Sequence, residues 1–508
     1  MASEAPERES VEPEGLHIEA PPVERPWTVL LSRPVQAVGL LLGVALLLEV
    51  VPGAERFRLL SARPEASEAP PAAPLASAPS EVGEAELENE TATGRGSNAD
   101  APRAHGPIAA KREEPLEVPQ LDKEPPVPLV DPSGRGLAGF YRALERVQRK
   151  EPGAKARVAW FGDSIIVSDF VSSILRRKLQ QEFGDAGHGY MLIANAWPAY
   201  FHMDVTRYAT SGWKVSRIVG PLASDGWYGL GGVSFKADAH ALARWGTAPE
   251  GDFGRNVSRF ELAYVEQPGG GRVQIRLDKK DLEVLDTSGP EKRVRYHELE
   301  APDGPHELEI QTLSGQSRLF GVVMERDVPG VVLDALGVQG ARIRFLDQQD
   351  DAHWAEQLAW RKPDLIAYQF GANESGDGLL YPMVDYHRTM KDVVAQGRKV
   401  LPEAGCLIVG AMDRAQKKGE NVVSMGIIPL LIAEQKKVAE ELGCAFFDTF
   451  KAMGGTGSMP IWVRRGLGQA DMTHPTGAGS DVIGTWLFRA LMKGYAEYRR
   501  SPPPASTR

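Results

Sequence analysis

Short apolar segments alternate with amphipathic segments through much of the chain after residue 134. The apolar segments are continuous, as in strands that are buried on both faces of a parallel sheet. They lie at residues 157–161, 331–336, 364–370, 406–410 and 444–448. Helical periodicity is present at Val167–Phe183, Trp354–Arg361, Val384–Val400, Ile427–Leu442 and Gly479–Tyr498. This order predicts an α/β fold with a doubly wound, parallel sheet of five strands.

A second pattern interrupts the first between the first and second apolar strands. Polar and apolar residues alternate there with a period of two, and Gly/Pro-rich turns such as residues 267–271 separate the segments. The alternating segments are residues 231–237, 258–265, 272–277, 306–313 and 318–324. We interpret residues 205–328 as an inserted β-sandwich, which divides the α/β domain into residues 134–204 and 329–500.

The N-terminal region contains one long apolar run. Residues 34–52 approach the length that crosses a bilayer, and Arg25 and Arg33 precede them. We predict a transmembrane signal-anchor over 34–52, a cytoplasmic tail over 1–33 and the remaining chain outside the cytoplasm. This prediction implies a single-pass membrane protein. A cleaved signal peptide and a buried helix of a soluble domain are the alternatives.

Residues 53–133 are rich in Pro, Ala and Glu and contain almost no aromatic residues. Such a segment buries too little apolar surface to offset its ordering entropy. The sequence therefore predicts a disordered linker, and a coil of this length reaches roughly 50 Å. We predict a second disordered segment at the C-terminal tail, residues 501–508.

Composition excludes several functional classes. The chain has a formal net charge of −10, so it has no domain-wide basic field for nucleic acid. Its two cysteines, Cys406 and Cys444, lie in apolar runs, and we interpret them as buried free thiols, with a disulfide as the alternative. Because the sequence has no Cys/His cluster, we predict no metal site, and nothing in it requires an organic cofactor.

Three residues suited to acyl transfer follow the ends of predicted strands. Ser164 lies between the first strand and the first helix, where helix N–H groups and the helix dipole favour a developing negative charge. Gly340 follows the second strand and Asn373 follows the third. Taken singly, these residues are a helix cap, a turn glycine and another helix cap. Because ligands bind at the carboxyl ends of parallel strands, the set predicts a nucleophile beside an oxyanion hole.

A histidine base is predicted at His474. Asp471 precedes it by three residues, which lets the carboxylate reach the imidazole within one loop. The same spacing occurs at Asp185–His188, Asp303–His306 and Asp350–His353. Of these histidines, only His474 follows the fifth strand and precedes a proline, which favours an extended backbone at His474. His353 is the alternative base.

Four segments of the chain resemble, in order, the four conserved blocks of the SGNH/GDSL hydrolases, whose fold is flavodoxin-like. They are Gly-Asp-Ser at 162–164, Gly-Val-Gln-Gly at 337–340, Gly-Ala-Asn-Glu at 371–374 and Asp-Met-Thr-His at 471–474. The resemblance implies that Ser164 is the nucleophile and that His474, oriented by Asp471, is the general base. It also implies an oxyanion hole formed by Ser164, Gly340 and Asn373. Gly337 is an alternative to Gly340, and Glu374 departs from the aspartate usual at its position.

The insert makes the resemblance more specific. Residues 183–190 and 229–235 are similar to segments of peptidoglycan O-acetylesterases, in which the inserted domain resembles a carbohydrate-binding module. Trp213, Trp227 and Tyr228 are the candidates for stacking against sugar in this insert, but for each of them we favour core packing.

The resemblance as a whole implies a membrane-anchored serine esterase that removes O-acetyl groups from a cell-envelope polysaccharide. The expected substrate is acetylated peptidoglycan, and the expected intermediate is an acetyl-serine. Two alternatives are an O-acetyltransferase that uses the same triad and a non-catalytic, tethered glycan-binding protein.

Overall fold

A computed structural model describes residues 121–500 of the chain. The predicted cytoplasmic tail (1–33), the transmembrane segment (34–52), the linker up to residue 120 and the C-terminal tail (501–508) lie outside the described residues. Within residues 121–500, no helix is both long enough and apolar enough to cross a membrane.

The described residues form strands and helices in the following order. The strands are β1 Lys155–Gly162, β2 Gly187–Leu192, β3 Val205–Ala209, β4 Lys214–Arg217, β5 Val233–Ala237, β6 Leu242–Thr247, β7 Val257–Glu266, β8 Arg272–Leu277, β9 Lys280–Asp286, β10 Arg293–Gly304, β11 Glu307–Ser314, β12 Ser317–Glu325, β13 Gly330–Gly337, β14 Leu365–Gln369, β15 Gly405–Val409, β16 Ala415–Lys418, β17 Asn421–Ser424 and β18 Ala445–Phe447. The helices are α1 Ala138–Gln148, α2 Ser164–Val167, α3 Phe170–Phe183, α4 Asp351–Arg361, α5 Met383–Val400, α6 Ile428–Leu442, α7 Thr449–Met453, α8 Ser458–Arg464 and α9 Gly477–Arg500.

The predicted parallel sheet is confirmed. Its five strands lie in the order β13-β1-β14-β15-β18, and neighbouring strands are parallel. Successive side chains of β1 enter different cores: Trp160 packs in the core that includes α1, α3 and α9, and Phe161 packs in the core that includes α4, α5 and α6. The sheet is therefore buried on both faces, which explains the continuous apolar runs of its strands.

The predicted insert is a pair of antiparallel sheets. One sheet has the order β10-β7-β12-β5-β4 with β2 also paired to β12, and the other has the order β3-β6-β11-β8-β9. Buried side chains of both sheets, including Phe235 and Trp245, share one apolar core. Strand β2 precedes residue 205, so the chain enters the sandwich earlier than the alternating pattern indicated.

The predicted linker is too long at its C-terminal end. Val127 is buried, and Val130 exchanges two backbone hydrogen bonds with Phe446 on the edge strand β18. Arg489 of α9 donates hydrogen bonds to Asp122. Residues 121–133 are therefore attached to the α/β domain, because they satisfy backbone groups that an edge strand leaves open.

The interpretation of the two cysteines as free thiols is wrong. Cys406 lies in β15 and Cys444 immediately precedes β18, and the two residues form a disulfide. The parallel register that pairs Leu407 with Ala445 makes Cys406 and Cys444 neighbours, with 4.7 Å between their Cα atoms. The sequence could not show this pairing, because it depends on which strands are adjacent.

Candidate active site

The topology of the sheet brings three of the sequence motifs together at the carboxyl ends of neighbouring strands. Strand β1 lies between β13 and β14, so the segments that follow these strands surround Ser164. The close approach of α2 to β13 requires a glycine, because a Cβ at Gly337 would collide with the backbone nitrogen of Val167. Gly337 therefore makes room for the helix that begins at the nucleophile.

The helix predicted over Val167–Phe183 is found as α3, which begins three residues later, and the helix that begins at Ser164 is a separate short one, α2. It ends at Val167, and Asp169 then adopts a left-handed conformation with φ of 54° before α3 begins at Phe170. The carboxylate of Asp169 accepts hydrogen bonds from Arg176 and from the backbone N–H of Met203, which hold this break in place. Ser164 is thus positioned by a tight turn rather than by a long helix.

Ser164, His474 and Asp471 form a continuous chain of hydrogen bonds. The Oγ of Ser164 lies 2.8 Å from Nε2 of His474, and Nδ1 of His474 lies 2.6 Å from Oδ2 of Asp471. The carboxylate accepts a hydrogen bond from Nδ1–H, which leaves Nε2 unprotonated and able to accept the hydroxyl proton of the serine. This is the geometry of a nucleophile with a correctly oriented general base.

The loop of the triad is held by its own backbone. The other oxygen of Asp471 accepts hydrogen bonds from the N–H groups of Thr473 and His474. Met472 has a φ of 60°, a conformation that non-glycine residues rarely adopt and that bends this loop. Burial raises the pKa of Asp471, but the hydrogen bonds from His474 and Thr473 outweigh burial, and the net shift is downward. Asp471 therefore stays ionised beside the imidazole.

Two of the residues predicted for the oxyanion hole, Gly340 and Asn373, lie in loops that contact each other. The side-chain amide of Asn373 donates one hydrogen bond of 2.8 Å to the carbonyl of Ala341, the residue after Gly340. Gly340 has a φ of 77° and lies in a loop beyond β13. A Cβ placed on this glycine would have no other atom within 4 Å, so the position is open. Gly337, in contrast, is the last residue of the strand and packs against α2. The geometry therefore favours Gly340 over Gly337 as the backbone donor.

Glu374 stabilises the loop that contains Gly340. Its side chain is buried, and Oε1 accepts a hydrogen bond of 2.8 Å from the backbone N–H of Ile343. Its second oxygen, Oε2, is buried without a hydrogen-bond partner. Burial, opposed by hydrogen bonds from Ile343 and from its own N–H, raises the pKa of Glu374 to about 7, and the nearby Asp163 adds to the rise. Asn373 and Glu374 thus both hold the segment that contains Gly340.

Asp163, which precedes the nucleophile, is a second buried carboxyl group. It caps α2 by accepting a hydrogen bond of 3.0 Å from the N–H of Ile165. Burial raises its pKa to about 6, although the hydrogen bond from Ile165 and the nearby His474 act in the opposite direction. Burial thus brings the pKa values of Asp163 and Glu374 closer to neutral pH than those of ordinary carboxyl groups.

Arg414 is a site residue that the sequence analysis missed. Its guanidinium donates to Thr473 Oγ1 in the triad loop, and to the carbonyl of Ala372 and the hydroxyl of Ser375 in the Asn373 loop. It follows β15, so its position just beyond a strand end was the available signal. Because it joins the histidine loop to the oxyanion loop, we regard Arg414 as a positioning residue.

The alternative base, His353, does not belong to this site. It is buried against the insert, its Nε2 contacts the carbonyl of Tyr228, and its ring stacks on Trp227 at 4.3 Å. Burial lowers its pKa to about 4, although the Tyr228 carbonyl opposes the shift. Asp350 caps the helix at the backbone N–H of His353 and does not contact the imidazole. The three-residue spacing at this position thus reflects helix capping.

The three aromatic residues proposed to stack on sugar do not present free ring faces. Tyr228 is 0% exposed and Trp213 is 7% exposed, and both pack in the core of the sandwich. Trp227 has His353 stacked on its ring, and the ammonium of Lys292 lies 3.8 Å from the ring centroid. All three rings are thus covered by protein side chains, which agrees with the core packing that the sequence analysis favoured over sugar stacking.

Among residues 121–500, no group of three or more His, Cys, Asp or Glu side chains is arranged to hold a metal ion. The triad and its oxyanion donors supply a nucleophile, a base and hydrogen-bond donors. Acyl transfer to a serine uses only these groups.

Comparison with known proteins identifies the fold. No protein-family model matches the chain, and no curated protein gives a significant match. Among solved structures, a peptidoglycan O-acetylesterase matches with a TM-score of 0.62 and 22% identity, and the match covers 73% of this chain and 99% of that one. Because the match includes nearly all of the solved chain, the described residues share the fold of that esterase, which in this chain is a parallel sheet with additional antiparallel sheets.

Two other esterases match with lower TM-scores. The acetylxylan esterase Axe2 from Geobacillus stearothermophilus is 18% identical, with a TM-score of 0.24, and the match covers 33% of this chain and 73% of that one. A family two carbohydrate esterase from Cellvibrio japonicus is 13% identical, with a TM-score of 0.23, and the match covers 57% of this chain and 98% of that one.

Proposed function

We propose that this protein is a serine esterase that removes O-acetyl groups from a cell-envelope polysaccharide. The observation that supports the activity best is the continuous hydrogen-bonded chain from Ser164 through His474 to Asp471. These three hydrogen-bonded side chains lie at the carboxyl ends of the parallel strands, beside the donors Gly340 and Asn373. An ester carbonyl at Ser164 would meet a nucleophile, a base and an oxyanion site together.

The proposed reaction has two steps. His474 accepts the hydroxyl proton while Ser164 Oγ attacks the acetyl carbonyl, and the N–H groups of Ser164, Gly340 and Asn373 bind the oxyanion. The imidazolium then protonates the sugar oxygen, the ester bond breaks, and the sugar alcohol leaves an acetyl-serine. In the second step His474 deprotonates a water molecule, which attacks the acetyl group, and acetate and the free serine are released.

Acetylated peptidoglycan is the polymer that we propose as substrate. The solved structure with the TM-score of 0.62 is named a peptidoglycan O-acetylesterase, and it shares both the sheet and the antiparallel additions. The disulfide between Cys406 and Cys444 supports a location outside the cytoplasm, because disulfides persist in oxidising compartments. The apolar run at 34–52 supports attachment to the inner membrane, with the esterase domain on the periplasmic side.

The test is acetate release by the purified full chain, with O-acetylated peptidoglycan and a small acetyl ester assayed in parallel. Ser164→Ala should reduce release from both substrates by at least about a thousandfold, because no other group replaces the nucleophile. Faster release from the polymer would support the envelope substrate. Transfer of the acetyl group to an added glycan, with no release of acetate, would contradict the esterase and assign an O-acetyltransferase.

A further inference from the structure

An exposed apolar surface lies beside the catalytic loops. The segment that leads from β14 into α5 reads Gly-Leu-Leu-Tyr-Pro-Met-Val at 378–384. Leu379 is 70% exposed, Leu380 is 93% exposed and Val384 is 81% exposed. A single exposed aliphatic side chain is ordinary, but three within six residues form a patch of the kind that marks an interaction surface.

Leu430 of α6 extends the same surface. Helices α5 and α6 both follow strands of the parallel sheet and pack side by side, and Nδ1 of His387 on α5 lies 3.0 Å from a carboxylate oxygen of Glu434 on α6. Val384 lies about one helical turn before His387, and Leu430 lies about one turn before Glu434. Val384 and the half-exposed Leu430 are therefore neighbours. We refer to Leu379, Leu380, Val384 and Leu430 as the apolar ridge.

The apolar ridge flanks one side of the active site. It follows β14 and Asn373, whereas the Gly340 loop follows β13, and Ser164 follows β1 between these two strands. The segment that carries the ridge is held in place, because Asp377 accepts two hydrogen bonds from Arg342 of the Gly340 loop. The ridge is therefore a preformed surface that leaves the β13 side of the site uncovered.

The hairpin of β16 and β17 adds positive charge next to the ridge. Gly426, two residues after β17, lies beside the ridge, because a Cβ at Gly426 would be 3.9 Å from Cδ2 of Leu379. Lys417 and Lys418 of the hairpin are exposed and form no ion pair with any residue in the range 121–500. Glu420 offsets one of these charges, so residues 415–424 keep one net positive charge, whereas the whole chain carries −10.

We propose that the apolar ridge docks on the surface of a lipid bilayer with anionic headgroups. Aliphatic side chains that enter the headgroup region, with lysines beside them, are the features by which peripheral proteins bind such a surface. The proposal rests on the proposed function for one point, that residues 34–52 anchor the chain in a membrane. A tethered domain meets the bilayer at a high effective concentration, so a few aliphatic side chains are sufficient for docking.

Docking in this orientation places the active site next to the membrane. The side of the site that carries the ridge faces the bilayer, and the β13 side stays open to the polymer. The esterase therefore acts first on polysaccharide that lies close to the membrane.

The experiment measures the depth of a fluorescent label at Leu380 in the full-length protein. The two native cysteines form a disulfide, so Leu380→Cys provides one free thiol for an environment-sensitive label. The protein is reconstituted in vesicles of phosphatidylglycerol and phosphatidylethanolamine, with or without lipids that carry a spin label in the acyl chain. We expect the spin-labelled lipids to quench the label at least about twofold, because a docked side chain reaches the boundary between headgroups and acyl chains.

Leu282→Cys, labelled in the same way, is the matched control. Leu282 is also an exposed leucine, but it lies on β9, the edge strand of one sheet of the insert. Its label should not be quenched. Equal quenching at the two positions, or no quenching at Leu380, would overturn the proposal.

The decisive variant combines Leu379→Asp and Val384→Asp in the protein labelled at position 380. It should abolish the quenching, because it places two charges in the surface that enters the headgroup region. Leu282→Asp combined with Val284→Asp removes two exposed aliphatic side chains from β9 and should leave the quenching unchanged. Quenching that persists in the ridge variant would refute the ridge as the docking surface.

Two further measurements test the nature of the surface that covers the ridge. Vesicles of phosphatidylcholine alone should give weaker quenching, and equal quenching would refute the requirement for anionic headgroups. A label at position 380 that is shielded from aqueous iodide but not quenched by spin-labelled lipid would show that protein, such as a second copy of the chain, covers the ridge. That result would also overturn the proposal.

Flotation and acetate release separate this proposal from the proposed function. The wild-type chain should float with the vesicles, and failure to float would contradict the anchor and, with it, the docking. The ridge variant should keep full activity on the small acetyl ester, because neither side chain belongs to the active site. Inactivity of the wild-type chain on both esters would refute the esterase and leave the quenching result standing. An active enzyme without quenching at position 380 would refute the docking alone.

Discussion

Asn373 illustrates how one hydrogen bond prepares another. Its amide nitrogen has two hydrogens, and the hydrogen bond to the carbonyl of Ala341 uses one and fixes the plane of the amide. The second hydrogen is then available for an oxyanion at Ser164 without reorganisation during the reaction. We expect Asn373→Ala to lower kcat about a hundredfold, on the order of 3 kcal/mol, with little change in KM. Steady-state kinetics on a small acetyl ester measure this effect. Wild-type kcat in the variant would exclude Asn373 from the oxyanion hole.

Glu374 predicts a pH dependence of stability. Burial raises its folded-state pKa from 4.5 to about 7, so its contribution to stability is complete below pH 4.5 and is lost as pH rises through 7. This pKa difference corresponds to a change in the free energy of unfolding on the order of 3 kcal/mol. Glu374→Gln keeps an acceptor for the N–H of Ile343 but cannot ionise. The variant should therefore gain stability relative to the wild type as pH rises from 5 to 8.

Chemical denaturation of both proteins at several pH values measures this difference. Asp163 also has a raised pKa, but it is present in both proteins and cancels in the comparison. Parallel stability curves for Glu374→Gln and the wild type across this range would show that Glu374 is ionised in the folded protein.

At the level of elements, the catalytic loops depend on a cation between them. Arg414 follows β15 and donates hydrogen bonds to Thr473 in one loop and to Ala372 and Ser375 in the other. Arg414→Met should lower kcat about tenfold or more, because the histidine and the oxyanion donors lose their common support. It should also move the acidic limb of the pH–rate profile upward, because the charge of Arg414 lowers the pKa of Asp163 beside the nucleophile and its removal raises that pKa.

Arg388→Gln is the control for Arg414→Met. It removes one exposed cation from α5, where Arg388 pairs with Asp385, and it should change neither kcat nor the pH profile. A loss of thermal stability in Arg414→Met with an unchanged pH profile and unchanged kcat would show that Arg414 only supports the fold.

The sequence was most informative where the determinants are local. The five strands of the parallel sheet and two of the site residues could be predicted, because a buried parallel strand is a continuous apolar run and Ser164 and Asn373 come directly after such runs. His474 was found from the aspartate three residues before it and the proline that follows it. The disulfide could not be predicted, because it depends on β15 and β18 being neighbours. Arg414 was missed for the same reason, since its partners lie about 40 and 60 residues away in sequence.

At the scale of the whole molecule, a buried ion network joins the insert to the parallel sheet. Glu325 at the end of β12 is fully buried and accepts hydrogen bonds from Arg157 of β1, Arg259 of β7 and Arg361 of α4. Arg361 also pairs with Asp334 of β13. The sandwich is thus attached to the catalytic sheet by a buried pair, Glu325 and Arg361, and by two partly exposed arginines, Arg157 and Arg259.

Removing the central carboxylate should therefore cost far more than removing a surface charge. Glu325→Gln leaves buried arginines without full compensation, and we expect a loss of about 3–5 kcal/mol in the free energy of unfolding. Asp303→Asn, which breaks an exposed pair with Arg326 in the same insert, should cost about 1 kcal/mol or less. Thermal and denaturant unfolding measure both values, and equal losses in the two variants would contradict a role for the network.

The same variant tests whether the insert must be held rigidly for polymer cleavage. The triad lies at the carboxyl end of the sheet, whereas Arg157 and Arg361 contact Glu325 away from that edge, so the chemistry itself does not need the network. At a temperature where Glu325→Gln remains folded, activity on a small acetyl ester should equal that of the wild type. Activity on O-acetylated peptidoglycan should fall if the polymer bridges the insert and Ser164. Equal retention of both activities would mean that the parallel sheet alone binds the substrate.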